Sequence, residues 1–206
     1  TIEKNVNNND VTLTFYAHND ISISNSTITS SENALNLVLN ADRDATEEGK
    51  ISISNSTITT NGGFFVAGGG DGDLGGANGI LGDGDGTGAD DQFAYAVGSG
   101  DGIRIVNSQI TTSDGDAILR GNAKGTGTED GIAFVNSELS SGTGDISWIG
   151  ISTGDTNYAK GIDFVGNDLK TTFPPGFEVE VVKSSSLLES DNLCNDLSIR
   201  EHGTLF

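Results

Sequence analysis

Apolar and polar positions alternate in short runs along this chain, and the runs recur. The nine residues ISISNSTIT stand unchanged at Ile21 to Thr29 and at Ile51 to Thr59, and degenerate copies begin at Ile103 (IRIVNSQIT), Ile132 (IAFVNSELS) and Ile162 (IDFVGNDLK). In each copy the first, third and eighth positions are apolar: Ile21, Ile23 and Ile28 in the first, Ile132, Phe134 and Leu139 in the fourth. Alternation of that kind predicts a strand with one buried face, and the phase break after the third position predicts a bend. Asn25, Asn55, Asn107 and Asn136 stand at the bend, where Asn tolerates left-handed backbone and bonds its neighbours.

A further strand is predicted between copies, in TLTFYAHND from Thr12, LNLVLNADRD from Leu35, FFVAGGG from Phe64, AILRGNAKG from Ala117 and ISWIGISTG from Ile146. The copies start 30, 52, 29 and 30 residues apart, so three intervals share one period and the other carries an extra Gly-rich segment. About three short strands per period is the content of one coil of a parallel β-helix. The expectation is an all-β chain forming a single right-handed parallel β-helix of about five coils, the handedness resting on the crossover rule together with the resemblance given below. Residues 1–172 would form the repeats, with an insertion at 68–102, and 173–206 a C-terminal cap or tail. Pro174 and Pro175 would end the ladder. Equivalent residues would stack at about 4.8 Å, filling the interior with Ile, Leu and Phe and lining up Asn25, Asn55, Asn107 and Asn136 as an amide ladder.

Charge narrows the partners. Thirty Asp plus Glu against ten Lys plus Arg give a net charge of -20, which opposes nucleic acid and anionic membranes. Thirty Gly and two Pro among 206 residues argue against a helical bundle. Cys194 is the single cysteine and cannot form an internal disulfide. No stretch has the length and apolarity of a membrane span or a signal peptide. The chain contains no Met and starts at Thr1, which reads as a processed or excised piece.

With the repeat laid out, VTLTFYAHNDISISNSTI, ALNLVLNADRD followed by ISISNSTITTNGG, and GDAILRGNAKGTGTEDGIAFVNSELSSGTGDI resemble the filamentous-haemagglutinin-like exoproteins of two-partner secretion, above all the Gly-rich cyanobacterial type. The resemblance covers about Val11 to Thr172. It implies a secreted right-handed β-helix, exported through an outer-membrane transporter partner and acting at the cell surface in adhesion. A glycan or protein receptor on a host or neighbouring cell would be its partner. The family's N-terminal secretion domain is missing, so the chain reads as an internal or C-terminal piece.

Three patterns offer chemistry. The first is the Gly/Asp segment, with GDGD at Gly70 to Asp73 and again at Gly82 to Asp85. Alternating Asp and Gly suits the many-oxygen shell of calcium, making Asp71, Asp73, Asp83, Asp85 and Asp91 candidate ligands and calcium the one cofactor candidate. The EF-hand pattern is incomplete, since Ala94 occupies the twelfth position where a bidentate Glu is expected. A solvated loop is the competing reading.

The second is Arg104 and Arg120, expected to face outward near the Asp114 and Asp116 turn. A polysaccharide lyase needs such a base close to carboxylates, and a glycosidase needs two facing carboxylates. A surface ion-pair cluster is the commoner meaning, and no catalytic residue is assigned. The third is the hydroxyl column Ser30, Thr60, Thr112, Ser141 and Thr171, which as a flat array would suit ice or glycans but, being interrupted, is read as ordinary strand-surface residues. Tyr16, Phe65, Tyr95, Trp148 and Tyr158 are candidate aromatics for stacking on sugars or for anchoring. The function expected is a non-enzymatic, extracellular adhesin-like stalk or binding surface, with a carbohydrate-active β-helix enzyme as the alternative.

Overall fold

A computed structural model describes residues 1–4, 9–70, 93–97, 99–125, 127–153 and 159–165, together with the backbone of 178–183. The described residues are all β, without helix, and their strands pair in parallel within three sheets. The arrangement is consistent with a parallel β-helix.

The first sheet collects the leading strand of every copy: β3 (Ile21–Ser24), β6 (Ile51–Ser54), β10 (Ile103–Val106), β13 (Ile132–Val135) and β16 (Ile162–Val165). Its register aligns Ile21, Ile51, Ile103, Ile132 and Ile162, so the sequence repeat is also the spatial one. The second sheet holds the strands beyond the bend: β4 (Thr27–Ser30), β7 (Thr57–Thr59), β11 (Gln109–Thr111) and β14 (Glu138–Ser140), with β1 (Ile2–Lys4) at its edge. The third contains β2 (Val11–Tyr16), β5 (Leu35–Ala41), β8 (Phe65–Gly69), β12 (Ala117–Lys124), β15 (Ile146–Ser152) and β17 (Glu178–Lys183). Strand β9 (Ala94–Val97) also pairs with β12, beyond the stretch of β12 that pairs with β8. The third sheet thus resumes after the Gly/Asp segment, and β17 extends it beyond Pro174 and Pro175.

Columns of apolar side chains fill the space between the sheets. Ile51, Ile53, Ile58, Ile103, Ile105 and Ile110 are fully buried in a single core cluster with Leu37, Leu39, Phe65 and Leu119. Residue sizes trade off along the third sheet, where Leu39, Ala67, Leu119 and Trp148 share one column. The fourth and fifth copies replace Ile with Phe134 and Phe164, and both rings pack on Trp148 at centroid distances of 5.3 Å. An aromatic trio is thereby formed where one Ile column gives way to Phe beside Trp148.

In β5, β8, β12 and β15 the third sheet is largely buried on both faces. Val38 and Val66 alternate with the interior residues yet are fully buried, beside Phe64 and Ile118. Phe93, Tyr95, Ile149 and Ile151 form a further cluster apart from the main core.

Candidate functional site: the polar corner and its ladders

The bend between the first and second sheets is built from each Asn-Ser pair. Asn25, Asn55, Asn107 and Asn136 have φ between 46° and 49°, the left-handed conformation that Asn accepts more readily than most residues. Their backbone N–H groups donate to the next repeat, at Ser54, Val106, Val135 and Val165 carbonyls respectively. The ladder therefore continues round the bend with no main-chain donor lost there.

Serine carries the side-chain link between repeats. Ser26 N–H donates to Ser56 Oγ (3.1 Å), Ser56 N–H to Ser108 Oγ (3.1 Å) and Ser108 N–H to Ser137 Oγ (3.0 Å). Each hydroxyl then donates to the carbonyl two residues before it, at Ser24, Ser54, Val106 and Val135. Among the asparagines, Asn107 Nδ2 reaches Asn55 Oδ1 at 3.4 Å, while Asn25 Nδ2 bonds Ser24 Oγ of its own strand. The asparagines set the backbone bend and remain exposed; the serines behind them, three of them buried, form the ladder.

Outside this wall lies an open groove of about 570 Å³. Three successive repeats line it with Asn55, Ser56 and Thr57, then Asn107, Ser108 and Gln109, then Asn136, Ser137 and Glu138. Gln109 Nε2 donates to Glu138 Oε2 at 3.1 Å across two repeats. With the serine hydroxyls engaged in the wall, the groups facing solvent are amides, the Thr57 hydroxyl and one carboxylate. Such a surface exchanges hydrogen bonds with a polyhydroxylated ligand.

The hydroxyl column proves different from a surface array. Ser30, Thr60, Thr112 and Ser141 are buried, and their hydroxyls donate to the carbonyls of Asn33, Gly63, Gly115 and Gly144 three residues ahead. Alternation turns them inward, and the turn carbonyls provide the partners that a buried hydroxyl requires. Thr171 lies outside the described residues.

The two arginines differ in exposure and in partners. Arg104 is half exposed and its Nη1 bonds Asp101 Oδ2 at 2.8 Å, whereas Arg120 is buried with its guanidinium 5.9 Å from the Phe93 ring centre. Neither forms the expected cluster with Asp114 and Asp116. Those carboxylates instead accept the backbone N–H groups of Thr143 and Asp145 in the next repeat, each at 2.9 Å. The bonds from Thr143 hold the Asp114 carboxyl below its ordinary range.

A second carboxylate ladder accompanies Arg104. Asp101 Oδ1 accepts Asp130 N–H at 2.9 Å, and Asp130 Oδ1 accepts Lys160 N–H at 2.8 Å. Lys160 Nζ in turn pairs with Asp163 at 2.6 Å. Burial pushes the Asp130 carboxyl up to about 7, with Asp163 and Asp101 adding repulsion and the Lys160 N–H opposing it.

Of the candidate aromatics, Tyr16 is exposed with the Arg43 guanidinium 5.1 Å from its ring centre. Phe65 and Trp148 belong to the interior, and Tyr95 is buried beneath the Lys124 ammonium at 4.9 Å. Asp71, Asp73, Asp83, Asp85, Asp91, Tyr158 and Cys194 lie outside the described residues. Among the described residues no three His, Cys, Asp or Glu side chains are grouped to hold a metal ion, and no helix is long and apolar enough to cross a membrane.

The serine and carboxylate ladders go beyond what the sequence reading anticipates, although the repeated NS dipeptide and DGI tripeptide carry their signal. In comparisons with protein-family models, with curated proteins and with solved structures, nothing matches this chain.

Proposed function

We propose that this chain is a segment of a secreted or cell-surface adhesin of the filamentous-haemagglutinin-like type, a right-handed parallel β-helix of about five coils that serves as rigid stalk and binding surface. The observation that carries the reading is the register: equivalent residues align across repeats in all three sheets despite the 52-residue interval. Continuous hydrogen bonding along the stack and side-chain ladders at its bends suit a stiff rod that displays a constant surface. Export through an outer-membrane transporter, an extracellular location and a glycan or protein receptor belong to the same proposal. So does calcium, held by Asp71, Asp73, Asp83, Asp85 and Asp91 in the Gly/Asp segment.

A carbohydrate-active enzyme is the second reading, and the Asp130 neighbourhood favours it. A carboxyl raised to about 7 and close enough to Asp101, the partner of Arg104, to feel its charge has the proton affinity of a general base at neutral pH. In the adhesin reading the same carboxyl is a structural acceptor for Lys160 N–H.

Incubating the full chain with intact bacterial and host cells and with a polysaccharide panel, with and without chelator, separates the two. Retention without released oligosaccharide is expected, and loss of retention in chelator would support the calcium component. Released product that disappears in Asp130→Asn would overturn the adhesin proposal in favour of the enzyme.

A further inference from the structure

We infer that the groove along the asparagine bend binds an extended neutral glycan, with roughly one sugar unit per repeat. The inference rests on the adhesin reading and names the ligand of its binding surface. Its first support is the groove itself, about 570 Å³ in volume and spanning three repeats. Asn55, Asn107 and Asn136 are exposed along it, with Thr57, Gln109 and Glu138 beside them. Amides donate and accept, as sugar hydroxyls do, so paired exchange is available at each step.

Spacing is the second support. Neighbouring strands lie about 4.8 Å apart, so equivalent groups recur along the groove at that interval. One pyranose in an extended glycan advances by a similar length. An extended peptide advances about 3.3 Å per residue and falls out of step within a few units.

Rigidity and charge complete the argument. The wall is fixed by the Ser56, Ser108 and Ser137 bonds, so little side-chain ordering is left to oppose binding beyond the amides themselves. Glu138 on the groove and the net charge of -20 oppose sulfated or uronic polymers. Among the described residues none of those lining the groove is aromatic. Each sugar therefore binds weakly, and affinity grows with the number of consecutive units engaged.

The test is an amide-resolved NMR titration of the full chain with cellohexaose, chitohexaose and xylohexaose, their disaccharides and a heparin hexasaccharide. At least one neutral hexasaccharide should shift the amides of 55–57, 107–109 and 136–138, and bind at least about tenfold tighter than its disaccharide. Combined Asn107→Gly and Asn136→Gly keeps a residue that tolerates the left-handed bend while deleting both amides. It should weaken binding about tenfold with circular dichroism unchanged, and Gln109→Ala, which leaves the bend untouched, should also weaken it. No shift at millimolar sugar, shifts confined to other residues, preference for heparin, or unchanged affinity in both variants would overturn the inference. Adhesion that survives enzymatic removal of cell-surface glycans would likewise reject it, while leaving an adhesin that uses a protein receptor. Loss of both sugar binding and cell retention would remove the adhesin reading as well.

Discussion

At the scale of single residues, adjacent polar positions do unlike work. Asn107 sets a φ of 47° and stays exposed, whereas Ser108 is buried and both accepts Ser56 N–H and donates to the Val106 carbonyl. Ser108→Ala should therefore cost about 1–3 kcal/mol, because it strands a buried backbone donor. Asn107→Gly should cost less than Ser108→Ala, since glycine keeps the left-handed backbone without strain. Urea unfolding of the two variants gives the order directly. Asp130 supplies a pH-dependent case. Its folded pKa of about 7 lies above the ordinary carboxyl value, so its favourable contribution is complete below about pH 4 and is lost as pH rises through 7. Asp130→Asn keeps an oxygen for Lys160 N–H and removes the titration. The melting temperature of the variant should gain at least about 2 °C on that of the parent between pH 4 and pH 8. A constant difference across that range would contradict the assigned cause.

Between elements, main chain packs closely at glycine positions as well as through apolar columns. A Cβ on Gly150 in β15 would lie 2.0 Å from the Gly161 carbonyl oxygen, and one on Gly121 in β12 would lie 2.1 Å from that of Gly131. Main chain cannot rotate away as a side chain can. Gly150→Ala should thus destabilise by about 1–3 kcal/mol or more in thermal unfolding, while Ser147→Ala on the same strand stays within about 0.5 kcal/mol. The strands and their buried faces were legible because period-two alternation in ISIS and LNLVL has one physical meaning. Thr60 and Thr112 are buried where their hydroxyls suggest a surface, because alternation, not side-chain polarity, decides which way they point. Continued alternation from Ile58 already points Thr60 inward, and Gly63 three residues later provides its acceptor. The placement of Arg120 was not legible in the same way. Alternation turns it away from the main core, but nothing local to β12 reveals that its outer face is covered as well.

At the scale of the whole molecule, repeats align in parallel across a long interval of sequence. Thr57 and Gln109 are 52 residues apart along the chain yet face one another as register partners in β7 and β11, and both are exposed. Function is less legible than fold at this scale, because a repeated surface advertises its spacing and charge but not which ligand occupies it. The asparagine groove becomes visible only once Asn55, Asn107 and Asn136 are brought side by side.

The most direct test is oxidative cross-linking of Thr57→Cys with Gln109→Cys in a chain carrying Cys194→Ala. Parallel partners about 4.8 Å apart fall within the Cα separation of a disulfide. The pair should cross-link readily within one chain, and Thr57→Cys with Thr111→Cys, displaced by two residues, should do so far more slowly. Equal rates for the two pairs, or no intramolecular bond in the first, would contradict the stacked register on which the groove and its proposed function both depend.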